Sequence, residues 1–296
     1  MKHALPIRLG ISDVSLVKHY GEAAAFDIMA EAAVPYVDHH LERFDPAYRL
    51  EREFPFDFYT ALRNGNDARG VSVVQTHAFH PTEALRVSEA EITERLCRSV
   101  RASAILGAKY IVVHPQKELR YAYEACKDER MTRNLKFYRV LIPALGETGV
   151  KCALENMFYR APEGIVPTVL SYGDEMAEMI DRLNADAPFF CACMDFGHAN
   201  LLTDDGGIAM ADTLGSRIVA VHLHDNDGID DLHASPGKGS VPWRNVFGVL
   251  SDIGFDGVYN FELHDYPGAD RAATVRRLSE TRSALETLIK DTCRLS

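Results

Sequence analysis

Four hydrophobic segments of this chain each end on a side chain able to bind a metal ion: Glu155 in ALEN, Asp195 in CMDFGH, His222 in VHLHD and Glu262 in NFEL. Three carboxylates and one imidazole suit Mn²⁺, Mg²⁺, Co²⁺ or Zn²⁺ and do not suit a thiolate-selected metal. Carboxylates buried without a cation or hydrogen-bonding partners are costly. Four such endings in succession therefore point to a divalent metal ion, with no organic cofactor called for. Further candidates lie nearby. His77 and His114 end two earlier apolar runs, His198 follows Asp195 by three residues, and Asp231 with His233 forms a DxH. A lone histidine is more often a buried or surface residue than a ligand. These five converge on the same end of their segments and become additional metal or substrate groups. Arg160, and Lys238 in a PGKG turn, are candidates to receive a carboxylate or phosphate of a substrate.

Ligands this far apart in sequence need a scaffold that brings them to one place. Strand-like runs at 7–13, 36–41, 71–79, 109–115, 150–156, 189–198, 218–225 and 257–264 alternate with helical stretches at 21–34, 57–69, 89–108, 130–149, 174–185, 206–216, 241–255 and 271–294. Eight strand–helix units predict an α/β fold, a single (β/α)8 TIM barrel with its active site at the C-terminal ends of the strands. No Pro/Gly/Ser-rich linker divides the chain, so residues 1–296 read as one domain. Alternation along a strand puts Ala153 on the side of Glu155 and Ala220 on the side of His222. Small residues beneath polar tips suit a packed interior topped by ligands. Pro143 predicts a kink or break in its helical stretch, and Gly149 a stop. Two aromatic stretches, 43–59 and 116–129, leave the C-terminal ends of strands. They are candidate lids through Phe44, Tyr48, Phe54, Phe56, Tyr121 and Tyr123, or packing and subunit-interface segments.

Lys and Arg number 32 against 43 Asp and Glu, a net charge of −11. That balance argues against a protein whose affinity comes from neutralising phosphates, so nucleic acid is not the expected partner. The six cysteines form no CxxC pair, and Cys191 with Cys193 read as small buried thiols on one strand face. MKHALPIRLG lacks a long apolar signal region and no stretch approaches a membrane span; a cytoplasmic protein is expected.

ALEN, MDFGHAN, VHLHDNDG, DDLHASPGKG and the closing FEL together resemble the xylose-isomerase-like barrel superfamily, most strongly from 150 to 265. Its members include sugar isomerases, sugar epimerases and endonuclease-IV-type nucleases for abasic DNA. The resemblance implies a metal held by Glu155, Asp195, His222 and Glu262, with His198 touching substrate oxygens. It implies a small sugar or sugar derivative as substrate, and relatives that often form homo-oligomers. Glu155 and Glu262 would then remove and return a proton through a cis-enediolate. Two positions depart from the ketose 3-epimerase pattern: Gly228 stands where those enzymes carry arginine, and Ala161 where they carry glutamate. The same resemblance supports two other outcomes. His77, His114, Glu155, Asp195, His198, His222, Asp231, His233 and Glu262 match the nine ligand types of a trinuclear endonuclease-IV site. A metal-dependent lyase acting on 3-keto-glycosides would use the same base and metal.

Overall fold

The computed structural model describes residues 7–41, 56–78, 88–116 and 123–293. Eight short apolar runs form the inner strands: β1 (Leu9–Ser12), β2 (Tyr36–His40), β3 (Ser72–His77), β4 (Tyr110–Val113), β5 (Lys151–Glu155), β8 (Phe190–Asp195), β9 (Ile218–His222) and β10 (Tyr259–Phe261). All pair in parallel, in the order β10-β1-β2-β3-β4-β5-β8-β9. The last seam is made just past β9, where Leu223 N–H donates to Asn260 O at 2.9 Å and Glu262 N–H donates to Leu223 O at 3.1 Å. That seam brings the two ends of the sheet together as a TIM barrel.

Helices return the chain outside this barrel: α1 (Val14–Tyr20), α2 (Glu22–Glu31), α3 (Phe56–Ala68), α4 (Glu89–Leu106), α5 (Lys127–Arg139), α6 (Ile142–Thr148), α7 (Gly173–Asp186), α8 (Phe196–Asn200), α9 (Ile208–Leu214), α10 (Trp243–Asp252) and α11 (Arg271–Cys293). Local chemistry sets their ends. Ser88 and Glu91 form a reciprocal capping box at the start of α4, and Gly107 closes it in the left-handed conformation. The stretch 130–149 divides into α5 and α6, with Pro143 in the first turn of the second helix and Gly149 ending it.

Two apolar zones result. The larger lies between the strands and the helix layer and contains Phe26, Leu96, Tyr138, Met179, Phe196 and Phe247. The smaller fills the barrel axis with Val112, Ala153, Cys191, Cys193 and Ala220. These side chains are compact because facing strands must share the axis. Burial pushes the Cys193 thiol up to about 12, and Cys191 rises as well, so both stay protonated packing groups.

One element has no counterpart in the periodicity. An antiparallel hairpin, β6 (Phe158–Ala161) with β7 (Gly164–Pro167), stands between β5 and α7. Of the candidate lids, Phe44, Tyr48, Phe54 and Tyr121 lie outside the described residues. Phe56 opens α3 as an exposed side chain, and Tyr123 O–H donates to Glu175 Oε2 at 2.8 Å.

Candidate metal centre

Strand direction does the first part of the assembly. Glu155, Asp195 and His222 are the last residues of β5, β8 and β9, while Glu262 follows β10 directly. Parallel strands bring these ends to one mouth. All four are buried, and each offers a ligand atom within 4.8 Å of the others. His222 Nδ1 is central to them: it lies 2.8 Å from Glu155 Oε1, 3.3 Å from Glu262 Oε2 and 3.8 Å from Asp195 Oδ2.

Among the described residues further groups adjoin this one, His233, Glu262 and His264 being the one that shares Glu262 with it. The other oxygen of Glu155, Oε2, faces His114 Nε2 at 2.7 Å and His77 Nε2 at 3.4 Å, so Glu155 links two clusters. On the opposite flank His198, His224, Asp231 and His233 form a set of equal tightness. All nine residues singled out in the sequence thus lie in three contiguous groups. Arg160 and Lys238 stand differently: Arg160 pairs with Asp230 at 2.7 Å and Lys238 with Asp265 at 2.6 Å, both largely exposed.

Hydrogen bonds decide which nitrogen each imidazole presents. His77 Nδ1 lies 2.8 Å from Ala78 O, His198 Nδ1 2.9 Å from Asn156 O, and His233 Nδ1 3.0 Å from Glu262 O. A carbonyl only accepts, so Nδ1 carries the proton in all three and Nε2 turns to the carboxylates. His222 is reversed. Its Nε2 lies 2.9 Å from Asp38 Oδ2, and Nδ1 faces the cluster.

Several residues that hold the site were not singled out from sequence. Asn156 clamps the end of β8, accepting from Asp195 N–H at 2.7 Å and donating to Asp195 O at 2.8 Å. Asp195 Oδ1 caps α8 by accepting from His198 N–H at 2.7 Å, leaving Oδ2 toward His224 and His222. Gly197 is required by close approach, because a Cβ there would overlap the His224 ring. Asp225 organises the loop carrying Asp231 and His233: it accepts from the backbone N–H groups of Gly237 and Val241 and from the Trp243 indole at 3.0 Å. Trp243 is buried, a packing residue with one polar tether. His233 itself has φ +46°, a left-handed conformation uncommon outside glycine, held by its bonds to Glu262 and Asp231.

Burial works against charge throughout the site, yet charge partners win. Burial opposes protonating His198, but Asp195, Asp231 and Glu155 push it up to about 10. His233 rises to about 9 against the same burial, through Glu262, Asp231 and Asp195. His222 is also raised, with Glu155 and Glu262 among the groups that overcome its burial. Glu155, Asp195 and Asp231 are held below the usual carboxylate range in spite of burial, chiefly by the facing histidines. In metal-free protein, imidazolium protons balance the converging carboxylates. Asp231 Oδ1 is buried and makes no hydrogen bond. This donor set fits a divalent cation, whose positive charge can take over from those protons.

Comparison with known proteins agrees with the architecture. The pattern of the xylose isomerase-like TIM barrel family matches residues 26–289. Protein MJ1311 of Methanocaldococcus jannaschii is 32% identical over 161 residues, covering 53% of this chain, which spans about half (51%) of that relative's length. Protein Rv0498 of Mycobacterium tuberculosis is 30% identical over 254 residues, 79% of this chain and 84% of its own. Among solved structures, that of D-psicose 3-epimerase in the presence of D-fructose superposes with a TM-score of 0.72 at 13% identity, covering 96% of this chain and 99% of the other. The chain belongs to the xylose isomerase-like TIM barrel family.

Proposed function

We propose that the protein is a divalent-metal-dependent isomerase or epimerase of a sugar or sugar derivative, working by proton transfer through a cis-enediolate. The observation carrying this is that Glu155 and Glu262 both approach one donor, His222 Nδ1, at 2.8 and 3.3 Å, in a buried set completed by Asp195. These four residues would hold the ion. A divalent ion bound there supplies Lewis-acid polarisation of a carbonyl and its neighbouring hydroxyl, which acidifies the adjacent C–H. The glutamates serve as the proton-transfer pair: one carboxylate takes the proton and the other returns it. Return to the neighbouring carbon isomerises; return to the opposite face of the same carbon epimerises. His198, held by Asn156 O through Nδ1, presents Nε2 to a substrate hydroxyl. Phe158 of the hairpin stands edge-on to that ring, with centroids 5.1 Å apart, and helps exclude water from it. The likeness to a D-psicose 3-epimerase structure supports a small ketose-like substrate over a macromolecule.

The test is incubation with a panel of ketoses and aldoses in heavy water. Deuterium should enter beside the carbonyl in a metal-dependent manner, and absence of exchange across a broad panel would count decisively against the assignment. Release of an aglycone from a 3-keto-glycoside without exchange into a sugar product would shift it to the lyase.

A second function is favoured by one observation, the Glu155 carboxylate shared between the central group and His77 with His114. With His198, Asp231 and His233 on the other flank, the residues match a three-metal phosphodiesterase acting on abasic DNA. The net charge of −11 opposes a DNA partner. An abasic duplex should remain uncut; cleavage with three zinc ions per chain would establish this alternative instead.

A further inference from the structure

We infer that Asp38 is the positioning residue of the metal centre: by accepting the Nε2–H of His222 it fixes the tautomer in which Nδ1 is the metal donor. The inference rests on the metal-centre assignment above and does not depend on which reaction the centre performs.

Asp38 lies in β2, far in sequence from all four central residues, and is fully buried in the barrel. Alternation along β2 puts Asp38 on the same side as His40, which lies 3.8 Å from Glu262, and a register slip in β3 brings Gln75 opposite it. Tyr36 and Val37 pair with Ser72 and Val73, but Asp38 pairs with Gln75, so one residue of β3 is skipped immediately before Asp38. Irregularities of this kind re-aim side chains beside functional sites. One oxygen, Oδ2, then receives three groups: His222 Nε2 at 2.9 Å, Gln75 Nε2 at 2.9 Å and Asn260 Nδ2 at 3.3 Å. The amides of Gln75 and Asn260 are thus directed at the carboxylate oxygen beneath His222.

Gln75 Nε2 also stands 3.1 Å from His222 Nε2, a contact that would suit the opposite tautomer. That tautomer would put the lone pair of Nε2 against a carboxylate oxygen at 2.9 Å, two acceptors facing one another. A proton on Nε2 removes the conflict and leaves Gln75 to donate to Asp38. The other ring nitrogen, Nδ1, then turns its lone pair to Glu155 Oε1 at 2.8 Å and Glu262 Oε2 at 3.3 Å, a meeting of acceptors that a divalent cation would relieve, whereas Asp38 Oδ2 is already met by the amides of Gln75 and Asn260. Carboxylate–histidine–metal arrangements act in this way: the outer carboxylate orients the ring and raises its basicity. His77, His198 and His233 use backbone carbonyls for this purpose and present Nε2, so His222 is set apart both in donor atom and in the charge of its support.

Two measurements test the inference. The first is a crystal structure of the wild-type protein loaded with zinc. It should show a bond of about 2.0–2.1 Å from zinc to His222 Nδ1, with Nε2 still on Asp38; zinc on Nε2 would overturn the inference. The second is zinc affinity by chelator competition for wild type and Asp38→Asn, read beside the melting temperature of the metal-free proteins. The substitution should weaken zinc binding about 10–100-fold while metal-free melting shifts only slightly. Affinity within about twofold of wild type would refute the role. Should Asp38→Asn fail to fold, the wild-type zinc structure still decides. Wild-type protein that takes up no zinc, manganese or cobalt would remove the metal centre itself, an outcome distinct from zinc bound through the wrong nitrogen.

Discussion

At the scale of single residues, the site is a set of charges that burial would discourage and that only mutual pairing sustains. If Glu155 and Glu262 carry the proton, Glu155→Gln and Glu262→Gln should each lower solvent-deuterium exchange by about 10²-fold or more, the usual contribution of a positioned acid or base. Exchange surviving in both variants would show that they only bind metal. The histidines make a separate prediction about pH. His198 and His233 titrate at about 10 and about 9 in the folded metal-free protein, above their unfolded value of about 6.5. Groups raised on folding contribute stability that is fully present below the unfolded pKa and lost as pH rises through the folded one. Melting of chelator-treated protein should therefore fall from about pH 6.5 toward pH 10. Zinc-loaded protein should lose much of this slope, because an ion held by Glu155, Asp195, His222 and Glu262 would offset carboxylates that raise both histidines. A flat metal-free profile across that range would contradict the pairing described.

At the scale of elements, the barrel order and the strand-end positions of the candidate ligands were legible because both rest on period and spacing. The strand-like runs 150–156, 189–198 and 218–225 contain β5, β8 and β9, which stop at Glu155, Asp195 and His222. What the sequence concealed depends on contacts between distant segments. Asp38 in YVDHH reads as an ordinary strand residue until the closed barrel sets its carboxylate against His222 from a distant strand. Asn156 and Asp225 act on backbone groups of other elements, which no local pattern announces. The β6–β7 hairpin is four residues on each side and joined by a two-residue turn, too short for a periodic signal. It is linked to the loop after β9 by Arg160 and Asp230, a pair with both side chains 53% exposed. Exposed pairs contribute little, so Arg160→Ala should change unfolding free energy by less than about 0.5 kcal/mol; a larger loss in denaturant titration would show a tighter latch. Gly197 is the opposite case. In Gly197→Ala the methyl group meets His224, and overpacking of this kind should cost about 1–3 kcal/mol, measurable by the same titration.

At the scale of the whole molecule, an acidic chain concentrates carboxylates at the mouth of a barrel whose axis is filled by small apolar side chains. Among the described residues, no helix is long and apolar enough to cross a membrane. Because the candidate ligands come from β5, β8, β9 and the residue after β10, an ion held by them would tie one half of the barrel across its closing seam. Metal held at 100 times its dissociation constant should thus stabilise the fold by about 2.7 kcal/mol, seen as a rise in melting temperature that chelator reverses. The most direct test of the central claim is metal content, determined by elemental analysis after equilibrating chelator-stripped protein with manganese, cobalt or zinc and removing free ion. The predicted result is at least one tightly held ion per chain in the wild type, lost when Asp195 and His222 are both replaced by alanine. Wild-type protein that retains no ion, or a double variant that retains as much as wild type, would contradict a metal centre built on Glu155, Asp195, His222 and Glu262.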